Sequence, residues 1–129
     1  MKGEAMQGYI DECRMCRAKV TVIGGRQTIV IDAVVDPGFN GDLCLPAQMA
    51  IQLGLELCGL QRVELADGTK KRELIFAGEV VFDGEQKWVE IFLTDSEDTL
   101  LGAGLLAGHV VTIDYVEQTL EIAQKEQQC

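Results

Sequence analysis

Asp36-Pro37-Gly38 stands between two apolar runs, Val34-Val35 before it and Leu43-Cys44-Leu45-Pro46 after it. A carboxylate in that place can serve as a general acid or base, provided the strand before it fixes its backbone. Gly38, with no side chain, lets a main-chain N–H approach the carboxylate and donate to it. Other chemistries lack their parts. The chain has one serine, Ser96, and one histidine, His109, so a Ser-His-Asp hydrolase would need two isolated residues to meet. Cys13-Arg14-Met15-Cys16 is a C-x-x-C, but a structural zinc site needs four ligands and no second pair exists. A thioredoxin-type pair would follow a strand and open a helix, whereas this one precedes the first clear strand and reads as incidental thiols. Gly24-Gly25 leads into a strand, and Gly102-Ala103-Gly104 lacks the surroundings of a dinucleotide loop. No metal and no cofactor is implied.

The elements that must position Asp36 read almost entirely as strands. Lys19–Ile23 and Gln27–Val35 flank Gly24-Gly25, Asp67-Gly68 marks a second turn, and Val80–Phe82 and Lys87–Leu93 flank a third at Asp83-Gly84. Val110–Tyr115 and Thr119–Ile122 form a last pair across a short polar link. Only Pro46–Leu53, with proline in its first turn and Gly54 beyond it, is punctuated as a helix, and a helical turn is expected after Gly102. Many short strands at this spacing predict a β barrel or sandwich. Trp88 and Phe92, on one face of an alternating strand, read as core residues, and His109 as a partly buried hydrogen-bonding residue.

With 129 residues, 47% apolar and 25% charged, the chain is one globular domain that can bury its own core. Its net charge of -10 argues against nucleic acid or an anionic membrane as partner and favours proteins or peptides. The N-terminus has no secretory apolar segment, Leu100–Val111 is too short and glycine-broken to span a bilayer, and five scattered cysteines suggest reduced thiols. A cytoplasmic protein without disulfides is expected. Most of the 21 acidic residues, Asp95-Ser96-Glu97-Asp98 among them, read as a solvated face.

The D-x-G at the end of an apolar strand, followed by Leu43-Cys44-Leu45-Pro46 and a short helix, resembles the retropepsin-like aspartic proteases. It is most similar to small bacterial members with D-T-G-F followed by L-x-L-P. Leu100-Leu101-Gly102-Ala103-Gly104-Leu105-Leu106 resembles the family's apolar-apolar-Gly segment, which packs beneath the catalytic loop and opens a helix. Val63–Arg72, centred on Ala66-Asp67-Gly68-Thr69, falls where the family has its flap.

The resemblance implies an all-β acid-protease barrel with one or two short helices over residues 17–123, preceded by an N-terminal extension (1–16) and followed by a polar tail (124–129). It further implies a homodimer in which each subunit supplies Asp36 as catalytic acid, supported by Pro37, Gly38, Leu101 and Gly102, and acting on a peptide or protein substrate. The family's middle motif residue is Thr or Ser, whose hydroxyl ties the two catalytic loops together; Pro37 has neither that hydroxyl nor an N–H. Two alternatives stand beside the peptidase. One is a retropepsin-like dimer that binds peptide or serves a structural role without catalysis. The other is an acidic β domain in which Asp36-Pro37-Gly38 is only a turn.

Overall fold

The structure, a computed structural model, describes residues 5–125; residues 1–4 of the expected N-terminal extension and residues 126–129 of the expected tail lie outside that range. The strands are β1 (Met6–Ile10), β2 (Cys16–Ile23), β3 (Thr28–Val35), β4 (Leu43–Pro46), β5 (Glu56–Glu64), β6 (Lys70–Phe82), β7 (Glu85–Thr94), β8 (Leu100–Leu101), β9 (His109–Asp114) and β10 (Thr119–Gln124). Two short helices, α1 (Ala47–Leu53) and α2 (Ala103–Leu106), follow β4 and β8. No helix among the described residues is long and apolar enough to cross a membrane.

The strands form one sheet in the order β5-β6-β7-β4-β8-β3-β2-β1-β10-β9, and β2 also pairs with β6. That extra pairing, Thr21 to Val81 through Ile23 to Glu79, closes six strands into a ring. The ring is irregular rather than a clean barrel, because β2 divides its edge: its first residues pair with β1 and its last with β6. β1 is itself antiparallel to β10, so residues 6–10 are built into the sheet.

Local chemistry sets the turns. Asp83 and Gly84, the two residues between β6 and β7, both have positive φ (51° and 77°), the backbone that matches a tight hairpin to strand twist. Gly68 (φ 87°) does the same work between β5 and β6. α1 stops at Gly54 in the left-handed region, where its N–H donates to the carbonyls of Ala50 and Ile51.

Alternation along β2 and β3 sends Ala18, Val20, Val22, Ile31 and Ala33 inward, where they meet Leu53, Val80, Phe82, Ile91, Leu120 and Ile122. On β7 the inward face is Val89 and Ile91. Trp88 and Phe92 therefore point the other way, which corrects the expectation that they are core: Trp88 is 68% exposed. The two do share a face, but period-two alternation does not say which face is inside.

Near Asp36 the alternation ends. Ala33, Val34 and Val35 are all buried, as are Leu43, Cys44 and Leu45. The cause is β8, which runs between these segments, parallel to β3 (Val34 to Leu100, Val35 to Leu101) and antiparallel to β4 (Leu43 to Leu101, Cys44 to Leu100). β4 is in turn parallel to β7. Strands covered on both faces read as unbroken apolar runs, and that is the pattern around Asp36.

Candidate active site

Asp36 is the first residue beyond β3, and its main chain is held at both ends. Its N–H donates to the Leu101 carbonyl at 2.9 Å, and its carbonyl accepts the Phe39 N–H at 3.1 Å. Gly38 donates its N–H to Asp36 Oδ1 at 3.0 Å, so one oxygen of the half-buried carboxylate is already engaged. Pro37 and Gly38 are exposed at the tip of the loop.

The segment after β8 is sewn to the same loop. Gly102 N–H donates to the Asp42 carbonyl at 3.0 Å, Ala103 N–H to the Phe39 carbonyl at 2.7 Å, and Gly104 N–H to the Gly41 carbonyl at 3.0 Å. Gly102 is extended (φ −97°, ψ −179°), so its need for glycine is one of space: a Cβ there would lie 2.2 Å from the Gly41 oxygen and 2.7 Å from that of Phe39. A Cβ on Gly104 would lie 2.2 Å from Asp42 Oδ1. The structure thus brings together Asp36, Pro37, Gly38, Leu101 and Gly102 from the sequence reading. It adds Gly41, Gly104 and Asp42, the last of which also accepts the Glu90 N–H at its Oδ2, 3.2 Å away. Gly104 lies in the segment that carries the resemblance, whereas no sequence signal singles out Gly41 or Asp42, because their partners are distant in the chain.

Ala66, Asp67, Gly68 and Thr69 form the exposed turn of the β5–β6 hairpin. Asp67 Oδ1 accepts both the hydroxyl and the N–H of Thr69, and these bonds, the hydroxyl foremost, hold the Asp67 carboxyl below the ordinary carboxylate range. Within one chain the tip does not join the Asp36 loop. The hairpin's stems do: Gln61 and Glu73 line a groove of about 510 Å³ whose other walls include Gly38, Phe39, Glu90 and Phe92. Phe39 and Phe92 meet edge to face with ring centroids 6.0 Å apart. Cys44 also lines the groove; burial, and secondarily the charge of Glu73, push its thiol up to about 11.

The remaining chemistry-bearing residues lie elsewhere. His109 is a buried side chain on β9, its Nδ1 3.1 Å from the Ala107 carbonyl and its Nε2 3.4 Å from Asp83 Oδ2. Ser96 is in the exposed loop after β7. Cys13 lies exposed in the β1–β2 connection, and Cys16 is buried as the first residue of β2. That connection follows a strand the sequence reading did not find, and it leads into a strand rather than a helix.

The sequence matches no protein-family model and no curated protein. The fold has relatives among solved structures. A retropepsin-like aspartic protease from Rickettsia conorii superposes with a TM-score of 0.69 at 21% identity, over 96% of this chain and 92% of its own. The retroviral protease-like domain of Ddi1 from Leishmania major superposes with a TM-score of 0.51 at 17% identity, over 87% of this chain and 94% of its own. The architecture is that of the retropepsin-like proteases, as the D-x-G and its companion segments implied.

Proposed function

We propose that the chain is an aspartic-type peptidase working as a homodimer, each protomer supplying Asp36 to a shared carboxylate pair. The observation that carries this reading is the mooring of Asp36: a half-buried carboxylate at the end of a doubly covered strand, pinned through Leu101 and oriented by the Gly38 N–H. Two carboxylates brought to one site cannot both ionise easily, so the pair keeps one proton. The ionised Asp36 takes a proton from water as its oxygen attacks the scissile carbonyl carbon, while the protonated Asp36 donates to the carbonyl oxygen. Proton delivery to the leaving nitrogen then breaks the C–N bond. The substrate lies extended in the groove, and the tips at Ala66, Asp67, Gly68 and Thr69 act as flaps that pair with it and exclude water.

Pro37 favours a second reading, the same dimer used as a peptide-binding or structural module. With neither hydroxyl nor N–H, Pro37 cannot tie the two loops across the two-fold axis. Digestion of a peptide library by the wild type and Asp36→Asn separates the two. Cleavage that disappears in a folded Asp36→Asn protein supports the peptidase; a dimer that binds peptides and never cuts them supports the module.

A further inference from the structure

We infer that the groove beside the Asp36 loop selects a lysine or arginine side chain next to the scissile bond, and that Glu73 and Glu90 are the residues that specify it. The inference rests on the peptidase reading and gives it a substrate class. Glu73 and Glu90 enter the groove from β6 and β7, on walls that include no lysine, arginine or histidine. Among the described residues neither carboxylate makes a salt bridge. The charge of Glu73 is felt within the groove, where it is the second cause, after burial, of the raised thiol of Cys44 on the same wall.

The groove also suits the rest of such a side chain. The Phe39–Phe92 pair offers an apolar wall for an aliphatic stem and a ring for its cationic end. The preference is local. An adjoining cavity, also about 510 Å³ and sharing Cys44, Glu73 and Leu93, contains Lys71 and Arg72 as well as Asp95, so its charges balance. A basic side chain is favoured only in the half nearest Gly38, where an acidic one meets two carboxylates and is rejected. The two-fold axis repeats this half-groove on the other side of the scissile bond, so the best substrates have basic residues on both sides. The net charge of -10 draws such peptides in at long range.

The test uses fluorescein-labelled extended peptides of one length that differ only in central residues: lysine, glutamine or glutamate. Anisotropy titrations are run on the full chain carrying Asp36→Asn, and cleavage is run on the wild type. The lysine peptide binds about fivefold or more tightly than the glutamine peptide, and the glutamate peptide binds weakest. The lysine-to-glutamine affinity ratio falls about threefold in Glu73→Gln and again in Glu90→Gln, while Glu73→Gln brings the Cys44 thiol down in alkylation titrations. Equal affinity for the three peptides, no binding of any, or a ratio unmoved by either substitution overturns the inference. Selective binding of the lysine peptide without wild-type cleavage upholds the groove's preference for a basic side chain and sinks the peptidase. Asp36-dependent cleavage that favours glutamine or glutamate peptides does the reverse.

Discussion

The N–H of Asp36 donates to the carbonyl of Leu101 at 2.9 Å, so the backbone of the candidate acid is fixed by a strand that enters the fold long after the loop that carries it. The carboxylate gains its position from β8 and its orientation from Gly38, and neither depends on Pro37. Position of the acid and cohesion of the proposed dimer are therefore separable by mutation.

Pro37→Thr restores a hydroxyl and an N–H to an exposed loop tip, at little cost to the protomer. A cross-subunit hydrogen bond is worth about 0.5–1.5 kcal/mol net, and the two-fold axis of the proposed homodimer would make two of them. The dimer dissociation constant should fall by about five- to 150-fold, measured by sedimentation across a concentration series. An unchanged dissociation constant would place the Asp36 loops away from the interface.

Gly102→Ala forces a methyl group against two carbonyl oxygens that are themselves held by hydrogen bonds. Overpacking of this kind costs about 1–3 kcal/mol, read as a lower midpoint in urea denaturation. Gly59→Ala is the control, since nothing lies within 4 Å of a Cβ there, and its effect should stay within about 0.5 kcal/mol. Similar losses in the two variants would mean that the crossing at Gly41 can relax.

Cys44 supplies a dependence on alkaline pH. Its thiol, ordinarily near 9.0, is raised to about 11 in the folded chain. Between those values the unfolded chain has lost a proton that the folded chain retains, so stability is full below pH 9 and falls as pH rises toward 11. The drop is about 2–3 kcal/mol, and Cys44→Ala should flatten it in chemical denaturation at stepped pH. At neutral pH an alkylating reagent should label exposed Cys13 and Cys58 and spare Cys44.

Asp11 supplies an acid counterpart. Its carboxyl is held below 3.8, first by the Met15 N–H and then by the Arg17 side chain, whose guanidinium also reaches Asp98. A lowered carboxylate contributes above its unfolded value and is lost as pH falls through the folded one. The Arg17 Nε–H resonance should thus hold steady down to the ordinary carboxylate range and move only below it, and Asp11→Asn should abolish the step. A shift centred at or above 3.8 would contradict the pairing.

The four hairpins and both helices were legible because their signals are local: Asp83-Gly84 states its own turn, and Gly54 its own helix end. Asp36 and its companion Leu100-Leu101-Gly102 could be read because doubly covered strands keep unbroken apolar runs. β1 was not, since Met6-Gln7-Gly8-Tyr9-Ile10 has little strand character and is a strand only by pairing with β10 and β2. The orientation of β7 and the groove residues Gln61, Glu73 and Glu90 were equally hidden. Each is defined by what faces it from another strand, and nothing in its own neighbourhood records that.

The insertion of β8 between β3 and β4 has a consequence in time. β3 and β4 are near neighbours in the chain, yet the strand that joins them lies beyond the β5–β6 and β6–β7 hairpins in the sequence. Local hairpins close early and distant strands late, since loop closure must precede the contacts that reward it. In pulsed hydrogen exchange during refolding, the amides of Val80 and Lys87 should be protected before that of Asp36. A chain that folds in this order has no ordered carboxylate loop while its hairpins are still forming.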